Sequence, residues 1–279
     1  MIQPVDPSAA PRPIRDAATV VLLRDGARGP EVLMVKRNRG AVFMADAHVF
    51  PGGKLDDSDG GDFIVAAARE AFEEAGVVLA VDARGETPVL DGAAWVEPAR
   101  AAVLAGTERF VDVLAAHGLA IDPARFVLFA RWITPPTESR RFDARFLIAR
   151  VPEGQKGAPD AAGEVVDFRW DTPAALLAAQ ARGEIKLPPP TLWHLTDLAR
   201  FTTVDEALAW ARTHSLHPVR PKLWDLGGVI SIVLPWDPDY EAIPIEGEAL
   251  DAAHPAAGAI TRYEIIDGLW RGRTVTRGA

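Results

Sequence analysis

Cysteine is absent from all 279 residues, which excludes disulfides, thiolate metal sites and cysteine nucleophiles. A reducing cytosol suits such a chain. No apolar run approaches the ~18 residues that a membrane-spanning helix needs, and residues 1–15 are proline-rich and polar where a signal peptide would be apolar. The expectation is a soluble, cytoplasmic protein with no membrane partner. A broad basic surface is also lacking: the formal charge is -9 and the sequence pI about 5.2, which speaks against nucleic acid. An acidic enzyme can still act on polyphosphates if a metal carries the positive charge. The six histidines show no HExxH or other zinc spacing, and no internal repeat or low-complexity tract is present.

What the chain does have is a dense acidic stretch, Arg69 Glu70 Ala71 Phe72 Glu73 Glu74 Ala75 Gly76 Val77. At roughly 100° per residue on a helix, Glu70 and Glu74 lie about 40° apart and Glu73 about 60° from Glu70, so all three carboxylates share one side. Like charges this close destabilise a helix unless a cation neutralises them. A set of hard oxygen donors favours Mg2+ or Mn2+, or Ca2+, over zinc. The plainer alternative is a solvated acidic face with Arg69 paired to Glu73 one turn on. Upstream, Phe50 Pro51 Gly52 Gly53 Lys54 Leu55 Asp56 Asp57 Ser58 Asp59 supplies a glycine turn, where backbone can approach a metal or phosphate, and three more carboxylates.

These two stretches together resemble the Nudix hydrolase box: Gly, five residues, Glu, seven residues, Arg-Glu, an aliphatic, any residue, Glu-Glu, any residue, Gly, an aliphatic. The second half matches throughout. Its five fixed letters would recur by chance about once in a million windows at ~6% average usage each. The first half departs from the pattern: Asp59 stands six residues after Gly53 where the box has Glu, and Arg69 comes two residues late, with Gly60 Gly61 available to absorb the insertion. Asp59, Asp57 and Asp56 are the candidates to replace the glutamate.

The resemblance implies an α+β fold, the Nudix α/β/α sandwich around a mixed sheet, and hydrolysis of a diphosphate linked to another moiety with Mg2+ or Mn2+. It implies Glu70, Glu73 and Glu74 as metal ligands with the Gly53 carbonyl and Asp59, and Arg69, Glu70 and Glu73 as the catalytic group, Arg69 orienting the glutamates. A weaker resemblance is to the coenzyme A diphosphatases. Leu33, Arg37, Phe50, Pro51, Gly52, Gly53 and Asp56 match their upstream signature, while its serine, second arginine and glycine fall on Asn38, Val42 and Asp46. Long members of the acyl-coenzyme A group also carry a widened box, a helical insertion after it and an Arg-Arg-Phe-Asp segment, here Arg140 to Asp143. Arg37, Arg140 and Arg141 are therefore candidate substrate-phosphate contacts. Lys36 and Arg39 are weaker ones, and Glu164 is either a late-loop base or a solvent-facing residue. An ADP-ribose or nucleotide-sugar diphosphatase is the rival enzyme, and an inactive Nudix-fold ligand sensor the rival of another class. The partner is a small diphosphate substrate, with a homodimer possible.

Along the chain, β-branched and aliphatic runs predict strands at residues 17–23, 31–36, 48–50, 125–133, 142–151, 165–170, 226–234 and 263–270. Helices are expected at 63–75, at two positions within 91–117, and at 173–181, 191–200 and 204–213, with Asp171 and Thr172 as caps of the fourth. Residues 235–259, rich in proline and glycine, read as a long surface loop. The Nudix domain is expected over 15–180, with a helical insertion at about 91–118. Residues 181–279 form a C-terminal elaboration packed on the same domain, with Trp193, Phe201 and Trp210 in its core.

Overall fold

The computed structural model describes residues 13–37, 46–90, 93–159, 165–214, 216–245 and 260–276. Seven strands form one mixed sheet: β1 (Ile14–Gly26), β2 (Gly29–Arg37), β3 (His48–Val49), β4 (Gly52–Lys54), β5 (Phe126–Ile133), β6 (Arg141–Arg150) and β7 (Val165–Asp171). β1 is its axis. Along one edge it runs parallel to β6 from Ile14 to Leu23; along the other, Ala17–Thr19 pairs β4 and Leu23–Gly26 pairs β2, both antiparallel. β5 closes one side on β6, and β3 and β7 both pair with β2.

Period-two alternation along β1 decides the layers. Ala18, Val20 and Leu22 point to one face and meet α1 (Phe63–Ala75), α2 (Val96–Leu104) and α3 (Phe110–Ala116). Val21 and Leu23 point to the other and meet α4 (Pro173–Ala181), α5 (Pro189–Leu198) and α6 (Val204–Thr213). The result is the α/β/α sandwich, with helices on both faces of a mixed sheet. Proline is tolerated in the first turn of α5, which therefore starts at Pro189, two residues before the expected position. Among the described residues no helix is long and apolar enough to cross a membrane.

The C-terminal part corrects two expectations. The strand predicted at 226–234 is the second arm of a hairpin, β8 (Lys222–Asp225) and β9 (Ile230–Val233), turning through Gly227 and Gly228. The strand predicted at 263–270 is also a hairpin, β10 (Arg262–Ile266) and β11 (Leu269–Arg273). Its two-residue turn, Asp267 (φ 53) and Gly268 (φ 75), has the paired positive φ that suits right-twisted arms. The four strands make a second sheet, β11-β10-β9-β8. Leu223, Ile232 and Tyr263 from it share one buried cluster with Trp132, Phe146 and Trp193, against which Phe201 and Trp210 pack. The loop expected at 235–259 is described only to residue 245, where it contains a short 3-10 turn that buries Tyr240.

Candidate active site

Close approach of α1 to the sheet builds the site. Ala66, Ala67, Ala68, Ala71 and Ala75 are all fully buried. Alanine is the strongest helix former and the smallest residue with a Cβ, so this face both favours the helix and lets it lie near β4. The helix starts on Asp62, whose carboxylate accepts from Ile64 N, and stops at Gly76, with Gly76 N donating to Phe72 O and Val77 N to Ala71 O. On the β4 side the glycines are required by space. A Cβ on Gly52 would meet Ala18 O at 2.6 Å, and one on Gly53 would meet Glu70 Oε1 at 2.5 Å.

Arg69, 4% exposed, organises the carboxylates through five hydrogen bonds. Its Nε and Nη2 donate to Asp59 Oδ1 and Oδ2 at 2.8 and 2.9 Å. Nη1 donates to Glu70 Oε1 at 2.9 Å and Glu73 Oε2 at 2.7 Å, and Nη2 also to the Lys54 carbonyl at 3.1 Å. Burial alone would weaken this charge; the Asp59 bonds and the charges of Glu70, Glu73 and Asp59 outweigh it and hold the Arg69 pKa above its ordinary value. Burial, reinforced by the neighbouring Glu74, pushes Glu70 well above the usual glutamate range, with Arg69 opposing. Burial also raises Glu73. Glu74, buried, accepts from Gly52 N at 3.0 Å.

The donor set fits a divalent cation. Glu70, Glu73 and Glu74 supply hard oxygens on one helix face, Glu70 lies against Gly53, and burial, with the charge of Glu74 after it, raises the Glu70 pKa, a penalty that a cation relieves. Arg69 engages one oxygen of Glu70 and one of Glu73, which leaves each a second. In the present arrangement no group of three metal-ligating side chains is gathered around one point among the described residues.

Both oxygens of Asp59 bond to the protein itself, since Oδ2 also accepts from Asp56 N at 2.8 Å. Asp59 is buried, Asp57 is exposed, and Asp56 pairs with Lys54 at the surface. Gly60 and Gly61, with φ of 63 and 79, carry the two extra residues outward; nothing lies within 4 Å of a Cβ at either, so the insertion bulges into open space and leaves Asp59 under Arg69. The other candidates are dispersed. Lys36 pairs with Asp46 at 3.0 Å, Arg140 is exposed on a bend, and Arg141 is half-buried with Nε donating to the Thr134 carbonyl at 3.3 Å. The Arg37 side chain, Arg39 and Glu164 lie outside the described residues. His48 is buried on β3, its pKa lowered by burial and then by Lys36.

Sequence reasoning missed Arg100. It is 1% exposed and donates to three carbonyls, those of Glu73, Pro159 and Ala158, at 2.9, 3.1 and 3.0 Å. It thereby pins the last turn of α1 to α2 and to the loop before β7. The available signal was an arginine on the apolar stripe of α2, beside Val96, Ala99 and Val103. A second missed group is Arg131, Asp143, Arg145 and Asp16, joined by ion pairs across β5, β6 and β1.

Comparison with known proteins matches residues 62–198 to the NUDT19 Nudix domain family. The chain is 30% identical over 192 residues to "Putative nudix hydrolase 7" of Caenorhabditis elegans, covering 67% of this chain and 61% of that protein, less than two thirds of its length. It is 24% identical over 315 residues to "Acyl-coenzyme A diphosphatase NUDT19" of Xenopus laevis, covering 85% of this chain and 81% of that protein. Among solved structures, a NUDIX hydrolase from Alicyclobacillus acidocaldarius superposes with a TM-score of 0.63 at 29% identity, over 72% of this chain and 97% of that one.

Proposed function

The chain belongs to the Nudix superfamily and resembles its acyl-coenzyme A diphosphatases, and from that premise we propose that it hydrolyses the diphosphate of an acyl-coenzyme A or coenzyme A. Water adds across the phosphoanhydride, giving adenosine 3',5'-bisphosphate and a 4'-phosphopantetheine product. The observation that carries the chemistry is the Arg69 network, which holds Glu73 and the Glu70 that lies against Gly53 while Asp59 secures Arg69.

In this reading Glu70, Glu73 and Glu74, with the Gly53 carbonyl, hold Mg2+ or Mn2+. The bound ion neutralises phosphate charge and lowers the pKa of water. Arg69 fixes the two glutamates it touches, so their oxygens need no reorganisation. Asp59 anchors Arg69 and leaves the ligand set. An aspartate where the box has glutamate is what would favour an inactive sensor, and the intact Arg69–Asp59 fork speaks against that reading. Arg37, Arg140 and Arg141 are substrate-side cations in the same proposal.

A substrate panel tests it: kcat/KM for acyl-coenzyme A, coenzyme A, ADP-ribose and NADH under identical Mn2+. The expected result is preference for the coenzyme A compounds. Preference for ADP-ribose would move the assignment to the rival diphosphatase, and no turnover with any of them would favour the sensor.

A further inference from the structure

A row of three residues crosses the main sheet under α1. Ala18 on β1 pairs with Gly53 of β4 on one side and with Arg145 of β6 on the other, so Gly53 and Arg145 stand two strand spacings apart, about 10 Å. Ala18 is fully buried in the cluster that faces α1. The helix touches both ends of the row. Glu70 lies against Gly53, where a Cβ would meet its Oε1 at 2.5 Å, and the guanidinium carbon of Arg145 sits 3.6 Å from the centroid of the Phe63 ring. Phe63 and Glu70 are two helical turns apart, about 10.5 Å of rise and within about 20° of one face. The spacing of the two contacts on the helix thus agrees with their spacing on the sheet, and Arg145 fixes one end of that match.

The same guanidinium ties down the loop between β4 and α1. Its Nη1 donates to Asp16 Oδ1 at 2.9 Å, and the backbone carbonyl of Asp16 accepts from Leu55 N at 3.0 Å. Residue 55 opens the loop and Phe63 follows its end, so Arg145 reaches both ends, one through Asp16 and one directly. Between them stand Asp59, which holds Arg69, and Asp62, which caps α1. The two extra residues, Gly60 and Gly61, lie there too, in open space. A glycine pair in a lengthened loop leaves more conformations to be suppressed if Asp59 is to stay in place, so the contacts at the ends matter more. Arg145 is itself braced. Its side chain is 23% exposed and approaches Asp143 at 3.9 Å, and Asp143 takes the fork of Arg131 at 2.7 and 2.5 Å.

We infer that Arg145 is a positioning residue for the carboxylate site. By fixing where α1 begins on the sheet and where the preceding loop starts and ends, it keeps Glu70 against Gly53 and Asp59 under Arg69. It acts through these residues and makes no contact with substrate. The inference rests on the diphosphatase reading of the site.

The test uses Arg145→Met, the charge-conserving Arg145→Lys, and Phe63→Leu and Asp16→Asn, which each remove one end of the tie; all are first checked for a native melting transition. Hydrogen exchange at the amides of Asp56, Asp59, Gly60 and Asp62, each a donor within the loop, reads the loop without reference to activity. Calorimetric Mn2+ binding reads the carboxylates, and kcat and KM for an acyl-coenzyme A read the reaction. Arg145→Met should speed exchange at these four amides by about tenfold while the amides of β2 exchange as in the wild type. It should raise the Mn2+ midpoint by about fivefold and lower kcat at limiting Mn2+, with the substrate KM within about twofold of wild type. Arg145→Lys, which keeps the charge but not the flat guanidinium, should fall between, as should the two single-end variants. Should Arg145→Met not fold, the single-end variants carry the same comparison. Unchanged loop exchange, or exchange that rises equally in β2, would overturn the inference. So would faster loop exchange with the Mn2+ midpoint and turnover unchanged, and so would a raised substrate KM at an unchanged Mn2+ midpoint, which would make Arg145 a substrate contact. Faster loop exchange with weaker Mn2+ binding, in a protein that cleaves no coenzyme A compound, would support the positioning role and defeat the diphosphatase reading instead.

Discussion

Arg69 is buried with its charge intact, and the side chains around it divide into those that hold it and those that it holds. Asp59 belongs to the first group. Asp59→Asn removes the buried partner of the fork and should destabilise the fold by about 3–5 kcal/mol, whereas the exposed Asp57→Asn should stay within about 0.5 kcal/mol. Urea denaturation of the two variants decides between them. A weakened Mn2+ midpoint in Asp59→Asn without loss of stability would return Asp59 to the ligand set. Glu73 and Glu74 belong to the other side of the site. Glu73→Gln and Glu74→Gln each keep helix propensity while removing a ligand charge, so turnover should fall by about a hundredfold or more with the circular dichroism spectrum unchanged. Near-normal turnover in both, at saturating Mg2+, would remove the metal assignment.

At the scale of elements, what matters is how tightly α1 is held against β4 and by what. Gly53→Ala sets a methyl group 2.5 Å from Glu70 Oε1, so it should lower turnover by displacing that carboxylate even if the protein still folds. Arg100→Met should leave three carbonyls, one in the last turn of α1 and two in the loop at 158–159, without this donor and cost at least about 2 kcal/mol, read as a lower urea midpoint. A variant as stable as the wild type would show that this tie is dispensable. The α1 site was legible in the sequence because its charges recur at helical spacing on one short element, and helical spacing is a local property. Arg100 was not legible, because its role depends on a segment that it meets only in the folded chain, the loop at 158–159. The final hairpin is a different kind of miss. Asp267 Gly268 is a strong turn signal, but apolar residues on both sides made a single continuous strand the simpler reading. The first glycine-rich loop was half legible: its insertion was visible, whereas only the fold shows that Gly60 and Gly61 carry it away from Asp59.

At the scale of the whole molecule, the second sheet and the helices α5 and α6 share a buried cluster with the main sheet, and that packing leaves a titratable group inside. Asp197 on α5 is 3% exposed, pairs with Arg200 at 3.2 Å, and Oδ2 has no hydrogen-bond partner among the described residues. Burial pushes its pKa up from 3.8 to about 6, against the pull of Arg200. Below the unfolded value both states carry the proton and the site costs nothing. As pH rises from about 4 to about 6 the unfolded chain releases it first, so stability falls, by about 3 kcal/mol once the folded state has also ionised. Asp197→Asn should therefore gain stability relative to wild type between about pH 4 and pH 7, measured by urea denaturation across that range; a difference independent of pH would show that the carboxyl does not titrate in this window. The central claim concerns the other buried acids, the glutamates of α1, and is tested most directly by chromatography of the products from an acyl-coenzyme A incubated with Mn2+ and either the wild type or the Glu70→Gln/Glu73→Gln double variant. The expected result is adenosine 3',5'-bisphosphate and the acylated 4'-phosphopantetheine from the wild type, abolished by a chelator and absent with the double variant. Cleavage at the thioester instead, or diphosphate cleavage that survives either the chelator or the double substitution, would contradict it.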